Sequence, residues 1–527
     1  MPRTIGFILL AALSPALLAQ YPNVRVSRPE STRPEEVTIA INPANPQQLA
    51  AAANIDYYYL SNDGGASWVE KRLTSTFGVW GDPCVIFDAP GNLYYGHLSR
   101  PPATIGDFLD RIVVQKSVNG GASWNDGASI GLNPPKDQDK EWLAVDQTTS
   151  PFRNNLYIAW TEFDRYGSAN RADSSRILFS RSTDFGITWS KPVKVSDVSG
   201  DCIDSDNTVE GAVPAIGPNG EIYIAWSGPL GIVFDKSLDG GLTFGQDRLV
   251  AAQPGGWDFN VAGIYRSNGL PITACDAGAS KHRGNVYVAW SDQRQGSDNT
   301  DIFFITSTDG GQSWGPVKRV NDDAGNRQQF FVWMTVDQIT GNIYFIFYDR
   351  RLTAGNATEV YVAKSADGGE SFVNFKVSET PFTPTANIFF GDYTNIAAHN
   401  GKVYPIWMRL DGTILSIWST VINDPPTLVA RERNLPAADF SLSPGYPNPI
   451  QLSEPFSTIG FSLPRAQEVT LKVYDLTGRE IAVLINAQKE AGYHRLQFDV
   501  RRLATGVYFY KLAAGNFSAV QKLVVIQ

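Results

Sequence analysis

The chain has 527 residues, with 44 Lys and Arg against 53 Asp and Glu, a formal charge of −9. That length exceeds one ordinary core and predicts several domains or one large repeat domain. An acidic balance with no basic stripe excludes nucleic acid and anionic membrane surfaces as partners, while 12% aromatics, abundant Gly and Pro and only 3 Met point to a soluble β-rich protein.

Residues 1–20 read as a signal peptide: Arg3 gives a positive start, residues 5–13 an apolar stretch, and Ala19 a small residue at a cleavage site. No other run is long and apolar enough to span a membrane. An exported protein is thus predicted, and a monomeric one. Its three cysteines, Cys84, Cys202 and Cys275, form an odd set. Strand placement puts Cys202 and Cys275 too far apart for a bridge, so free, buried thiols are expected.

From residue 21 to 422 one octet recurs six times, at 61–68, 117–124, 182–189, 237–244, 307–314 and 365–372. Its pattern is Ser-x-Asp-x-Gly-x-(Ser/Thr)-Trp, with Asn119 once replacing Asp and Phe244 and Phe372 replacing Trp. Asp or Asn accepts hydrogen bonds from its own turn, Gly takes a positive φ, and the aromatic packs back on a neighbour. The box aspartates are therefore turn-formers, not catalysts. Before each of the later boxes come apolar strands such as 155–160, 221–226, 285–290 and 342–347, and before these a further strand such as 142–146 or 333–337. One unit reads as four strands, a propeller blade. A seventh unit, 393–422, has three strands and no box, and residues 23–27 can supply its missing outer strand. The fold class is all-β, a propeller of seven blades with six as the alternative.

The octets resemble the Asp boxes (BNR repeats) of the sialidase superfamily. That resemblance implies a sialidase-like β-propeller and suggests glycoside hydrolysis of the exo-α-sialidase kind. The family's Arg-Ile-Pro motif has only the 26–29 stretch Val-Ser-Arg-Pro as its nearest counterpart, and its other arginines and Tyr–Glu pair have no matching motif. The resemblance thus carries the fold further than the activity.

Residues 423–441, with Pro425, Pro426 and Pro436, read as a linker. Residues 442–527 read as a small Ig-like β-sandwich with strands near 471–475 and 506–512. This region resembles the type A sorting domain of type IX secretion, which implies the secretion machinery as a partner and a secreted or cell-surface location.

Propeller topology separates two faces. The boxes lie on one, and a ligand site is expected on the other, around the mouth of the central channel. Asp82, Glu141, Glu210 and Asp392 sit at the starts of four innermost strands and are the catalytic candidates. Arg266, Arg294, Arg350, Tyr393 and Trp142 are the substrate-binding candidates. Carboxyls beside Arg and Tyr suit acid–base work on a glycosidic bond of an extracellular glycan. Capping of strand ends or structural pairing with the arginines explains the same residues equally. Asp201, Asp204 and Asp206 make a weak structural Ca²⁺ candidate, against the more economical reading of a solvated acidic loop. No other cofactor is expected. A non-catalytic glycan- or protein-binding propeller and a polysaccharide lyase remain alternatives to the hydrolase.

Overall fold

The computed structural model describes residues 21–527 apart from 105, 424–439, 446–447, 452–455, 490, 502 and 527. The signal peptide at 1–20 and most of the linker at 423–441 therefore lie outside the described residues. The chain divides into two compact units, Met1–Pro425 and Pro426–Gln527. No helix occurs among the described residues, and none is long and apolar enough to cross a membrane.

The first unit is a β-propeller. Six sheets take four consecutive strands each; the third, for example, runs Asp137–Val145, Leu156–Phe163, Ser175–Ser182 and Val193–Lys194. A further sheet takes Asn395–His399, Lys402–Asp411 and Ile414–Thr420, and Asn23–Arg25 joins it antiparallel along the last of these, with Asn23 opposite Thr420. The segment expected to complete the last unit does so. Innermost strands neighbour one another in chain order, and Asn395–His399 lies against Thr38–Ile41 of the first sheet, which closes a ring.

The sequence explains the layering. Second strands such as Leu156–Phe163, Ile222–Gly228 and Val286–Asp292 are buried at every position, so they are apolar without alternation. Each carries a tryptophan (Trp160, Trp226, Trp290) buried between adjacent sheets. In all six boxes the first Ser hydroxyl donates to the Asp or Asn side chain and accepts from the N–H of the Gly at the fifth position, as at Ser61, Asp63 and Gly65. The closing aromatic packs on the preceding sheet: Trp314 meets Phe234 at 5.2 Å, and Phe372 meets Phe304 at 5.5 Å. A Cβ on Gly311 would lie 2.2 Å from the Phe234 ring, so that position admits only glycine.

The second unit pairs a three-stranded sheet containing Phe456–Leu463 and Gly492–Asp499 with a five-stranded sheet containing Gln467–Asp475, Gly506–Ala514 and Phe517–Ile526. Alternate residues Val469, Leu471 and Val473 face a core shared with Ile459, Phe461, Tyr510 and Leu523. This is a β-sandwich. Cys84, Cys202 and Cys275 are free and buried.

Candidate functional site

The channel mouth is shaped by an unusual backbone feature. In six of the seven propeller sheets a residue at the start of the innermost strand has positive φ: Glu36 (54°), Asp82 (48°), Lys140 (51°), Gly211 (80°), Phe331 (52°) and Gly391 (81°). In three of them the register slips nearby, between Asp139 and Trp142, Glu210 and Val213, and Phe330 and Trp333. An extra left-handed residue turns a side chain that would otherwise lie between sheets towards the axis.

Three of these residues, Glu36, Asp82 and Lys140, come from different sheets and meet. Lys140 Nζ lies 2.8 Å from Asp392 Oδ2, 3.2 Å from Asp82 Oδ2 and 3.8 Å from Glu36 Oε1. Asp392 also receives the Arg266 guanidinium on both oxygens, Nε to Oδ1 at 3.0 Å and Nη2 to Oδ2. The Arg266 Nη1 donates to Asp204 Oδ2 at 3.1 Å, where Tyr166 also donates its hydroxyl at 2.6 Å. Asn54 ties Glu36 to the Asp82 backbone, donating to the first and accepting from the second.

Arg266 arrives on a long insertion between the fourth and fifth sheets, stiffened by a two-stranded hairpin, Asp258–Phe259 with Ser267–Asn268. Trp257 Nε1 anchors it to Thr208 O at 3.1 Å, and Asn268 Nδ2 donates to Asp392 O at 3.0 Å. Beneath the insertion is a cavity of about 50 Å³ lined by Asp82, Lys140, Glu141, Asp392 and the aromatics Trp142, Trp333 and Tyr393. The aromatics form its floor, with the two indoles 4.3 Å apart and the Tyr393 ring 5.6 Å from Trp142.

Six buried acids (Glu36, Asp82, Asp139, Glu141, Glu210, Asp392) and the part-buried Asp204 surround the two cations Lys140 and Arg266, and five of the carboxyls are shifted, Asp392 down and Glu36, Asp139, Glu141 and Glu210 up. Burial pushes Asp392 up, but Lys140 and Arg266 outweigh it and hold the carboxyl below its ordinary range. Burial and then the Asp82 charge push Glu141 and Glu36 well up, with Lys140 opposing. Glu210 rises through burial and Asp204, and Asp139 reaches about 7 through burial and Asp82. Both oxygens of Glu141 are buried and have no hydrogen-bond partner among the described residues. The mouth thus favours the ionised form of Asp392 and, beside it, the neutral form of Glu141.

Most of the predicted residues assemble here. Asp82, Glu141, Asp392, Trp142 and Tyr393 line one cavity, Arg266 closes it, and Glu210 lies in the same buried acid group. Arg294 and Arg350 do not face it, which corrects the expectation. Each is caught by an acceptor near its own strand end. Arg294 forks onto Asp292, with Nε 2.9 Å from Oδ1, and lies 4.2 Å over the Phe303 ring. Arg350 donates to Thr358 Oγ1 at 3.0 Å and to Ala262 O at 2.7 Å, bracing the insertion from below. Nor do Asp201, Asp204 and Asp206 form a cation cage. Asp201 accepts from Ile203 N and the Thr208 hydroxyl, Asp204 from Tyr166 and Arg266, and Asp206 from Asp258 N. Among the described residues no cluster suits a metal ion.

Lys140, Glu36, Asp139 and Asn54 belong to the site and were not singled out by sequence. The signal that finds Glu36 and Lys140 is positional: Glu36, Asp82, Lys140, Gly211, Phe331 and Gly391 each stand two residues before a residue that starts the regular channel wall (Thr38, Cys84, Trp142, Val213, Trp333, Tyr393).

Residues 445–526 match the family described as the secretion system C-terminal sorting domain. No curated protein sequence matches the chain. Solved structures similar in fold include a protein of unknown function from Dyadobacter fermentans, at 14% identity over 65% of this chain and 96% of the other, with a TM-score of 0.43. An α-L-arabinofuranosidase from Fusarium graminearum is similar at 13% identity over 76% and 97%, TM-score 0.41. The NanB sialidase of Streptococcus pneumoniae is similar at 9% identity over 71% and 83%, TM-score 0.42. The sorting tail makes this a secreted or cell-surface protein, and the ring of four-stranded sheets makes the rest a β-propeller.

Proposed function

We propose that the propeller is a glycan-active enzyme, a glycoside hydrolase whose site is the channel mouth. The observation that carries this reading is the pair Glu141 and Asp392, two carboxyls lining one cavity whose surroundings push Asp392 towards its ionised form and Glu141 towards its neutral one. A neutral carboxyl supplies the proton that the departing glycosidic oxygen takes up as the C–O bond breaks. An ionised one takes a proton from the water whose oxygen bonds to the anomeric carbon. While Arg266 and Lys140 hold it, Asp392 is a weak base. Withdrawal of Arg266 with its insertion raises that basicity and opens a cavity that otherwise admits a few waters and no sugar ring. Both cations of the mouth are already engaged by the protein's own carboxylates, which favours a neutral glycan over an anionic one.

A non-catalytic glycan-binding propeller is the second reading, favoured by the closed cavity and by the engagement of both cations with the protein's own acids. Turnover of neutral, sialyl and uronyl glycans by the full chain tests both. Hydrolysis of a neutral glycan, reduced at least 100-fold in Glu141→Gln and in Asp392→Asn, is the expected result. Binding without turnover would establish the second reading. Loss of activity in Asp392→Asn alone, with Glu141→Gln fully active, would remove Glu141 from the mechanism.

A further inference from the structure

The Trp142, Trp333 and Tyr393 floor divides the channel, and on its other side lies far more room than at the mouth. Two adjoining spaces of about 430 Å³ and 260 Å³ share Trp142, Val145, Gln147, Trp333, Thr335 and Gln338 as lining. Their outer rims are formed by turns that follow the innermost strands, on the Asp-box face, at Pro43, Thr148, Ile339 and His399. We propose that this space is a second ligand site, taking one uncharged sugar unit from the Asp-box side. It is independent of the chemistry at the mouth.

Three features select that ligand. No Asp, Glu, Lys or Arg lines either space, and the one histidine there, His399, stands at the outer rim, so a charged group inside would lose hydration without a fixed charge beside it. The walls mix polar groups with small apolar side chains such as Ala40, Ile86, Ala144 and Ala274, and the indoles offer flat surface for the C–H face of a sugar ring. Yet polar capacity stands unused. The Trp142 and Trp333 indole N–H groups, the Thr335 hydroxyl and the Gln147 amide oxygen make no hydrogen bond among the described residues. Gln147 is already fixed in place by donation of its amide to Phe87 O at 2.6 Å, and Gln338 by its bonds to Cys275 O and Ala277 N. A hydrocarbon would desolvate these groups without return, whereas sugar hydroxyls satisfy donors and acceptors alike.

Calorimetric titration of the full chain with the methyl glycosides of glucose, galactose and mannose, with methyl glucuronide and with cyclohexanol tests the assignment. At least one neutral glycoside should bind, with the glucuronide at least tenfold weaker and cyclohexanol silent. Thr335→Phe, which fills the junction of the two spaces, should weaken that binding at least tenfold, and Gln147→Ala, at an exposed position, should weaken it too should the bulkier variant not fold. Glu141→Gln at the mouth should leave the affinity unchanged while altering turnover. The proposal is overturned if no neutral glycoside binds, if cyclohexanol or the glucuronide binds as well, or if Glu141→Gln weakens binding that both channel variants leave intact.

Discussion

Asp309 shows what a box carboxylate does. It accepts from the Ser307 hydroxyl, the Gln312 and Ser313 N–H groups and the Ser313 hydroxyl, and these bonds depress its pKa. Asp309→Ala should cost about 1 kcal/mol, read as a lower melting temperature with turnover unchanged, because the turn lies away from the mouth. The box roles were legible because every bond is local: sequence neighbours are spatial neighbours. The mouth was legible only in part. Asp82, Glu141 and Asp392 stand out as acids beside apolar strands, but Lys140 organises them from a position that reads as an ordinary surface lysine. Arg294 and Arg350 failed for a complementary reason. A loop arginine binds the nearest carboxylate or carbonyl, and Asp292 sits two residues from Arg294.

Among elements, the starts of the innermost strands carry the specificity of the design. Their left-handed residues were invisible to pattern reading, since one extra residue barely disturbs an apolar alternation. Where the residue is Glu36, Asp82 or Lys140, ion pairs across sheets offset the backbone strain. Gly211 has no such partner. A Cβ there would meet the Leu270 side chain at 2.8 Å, in the insertion that delivers Arg266. Gly211→Ala should therefore destabilise by about 1–3 kcal/mol, measurable as a lower denaturant midpoint, and should perturb the mouth more than a box substitution of equal cost. The hairpin within the insertion was likewise not foreseen, because strands of two residues leave no period to read.

For the molecule as a whole, its carboxyls set opposing limits on pH. Burial raises Glu35 from 4.5 to about 8 and Asp139 from 3.8 to about 7. Groups whose folded pKa is raised contribute stability in full below the unfolded value and lose it as pH climbs to the folded one. The box residues Asp63 and Asp239, lowered to about 2, contribute above 3.8 and lose their share as pH falls towards 2. Melting temperature should peak at about pH 4–5 and decline steadily to about pH 8. A flat profile from pH 5 to 8 would mean that these carboxyls are solvated in the folded protein.

The strand Asn23–Arg25, paired beside Ile414–Thr420, has a further consequence for biosynthesis. Among the described strands of the first unit the earliest must wait for almost the last, so the clasp forms only once the whole first unit has emerged. Until then the Ile414–Thr420 edge is bare, with its backbone groups unpaired. The Asn23–Arg25 segment of a second copy has the same sequence as the chain's own, so at high concentration this edge is the place where exchange of a strand between molecules is expected, measurable as a concentration-dependent dimer. Such swapped pairs would keep every intrachain contact of the other sheets and differ only in which molecule supplies the clasp.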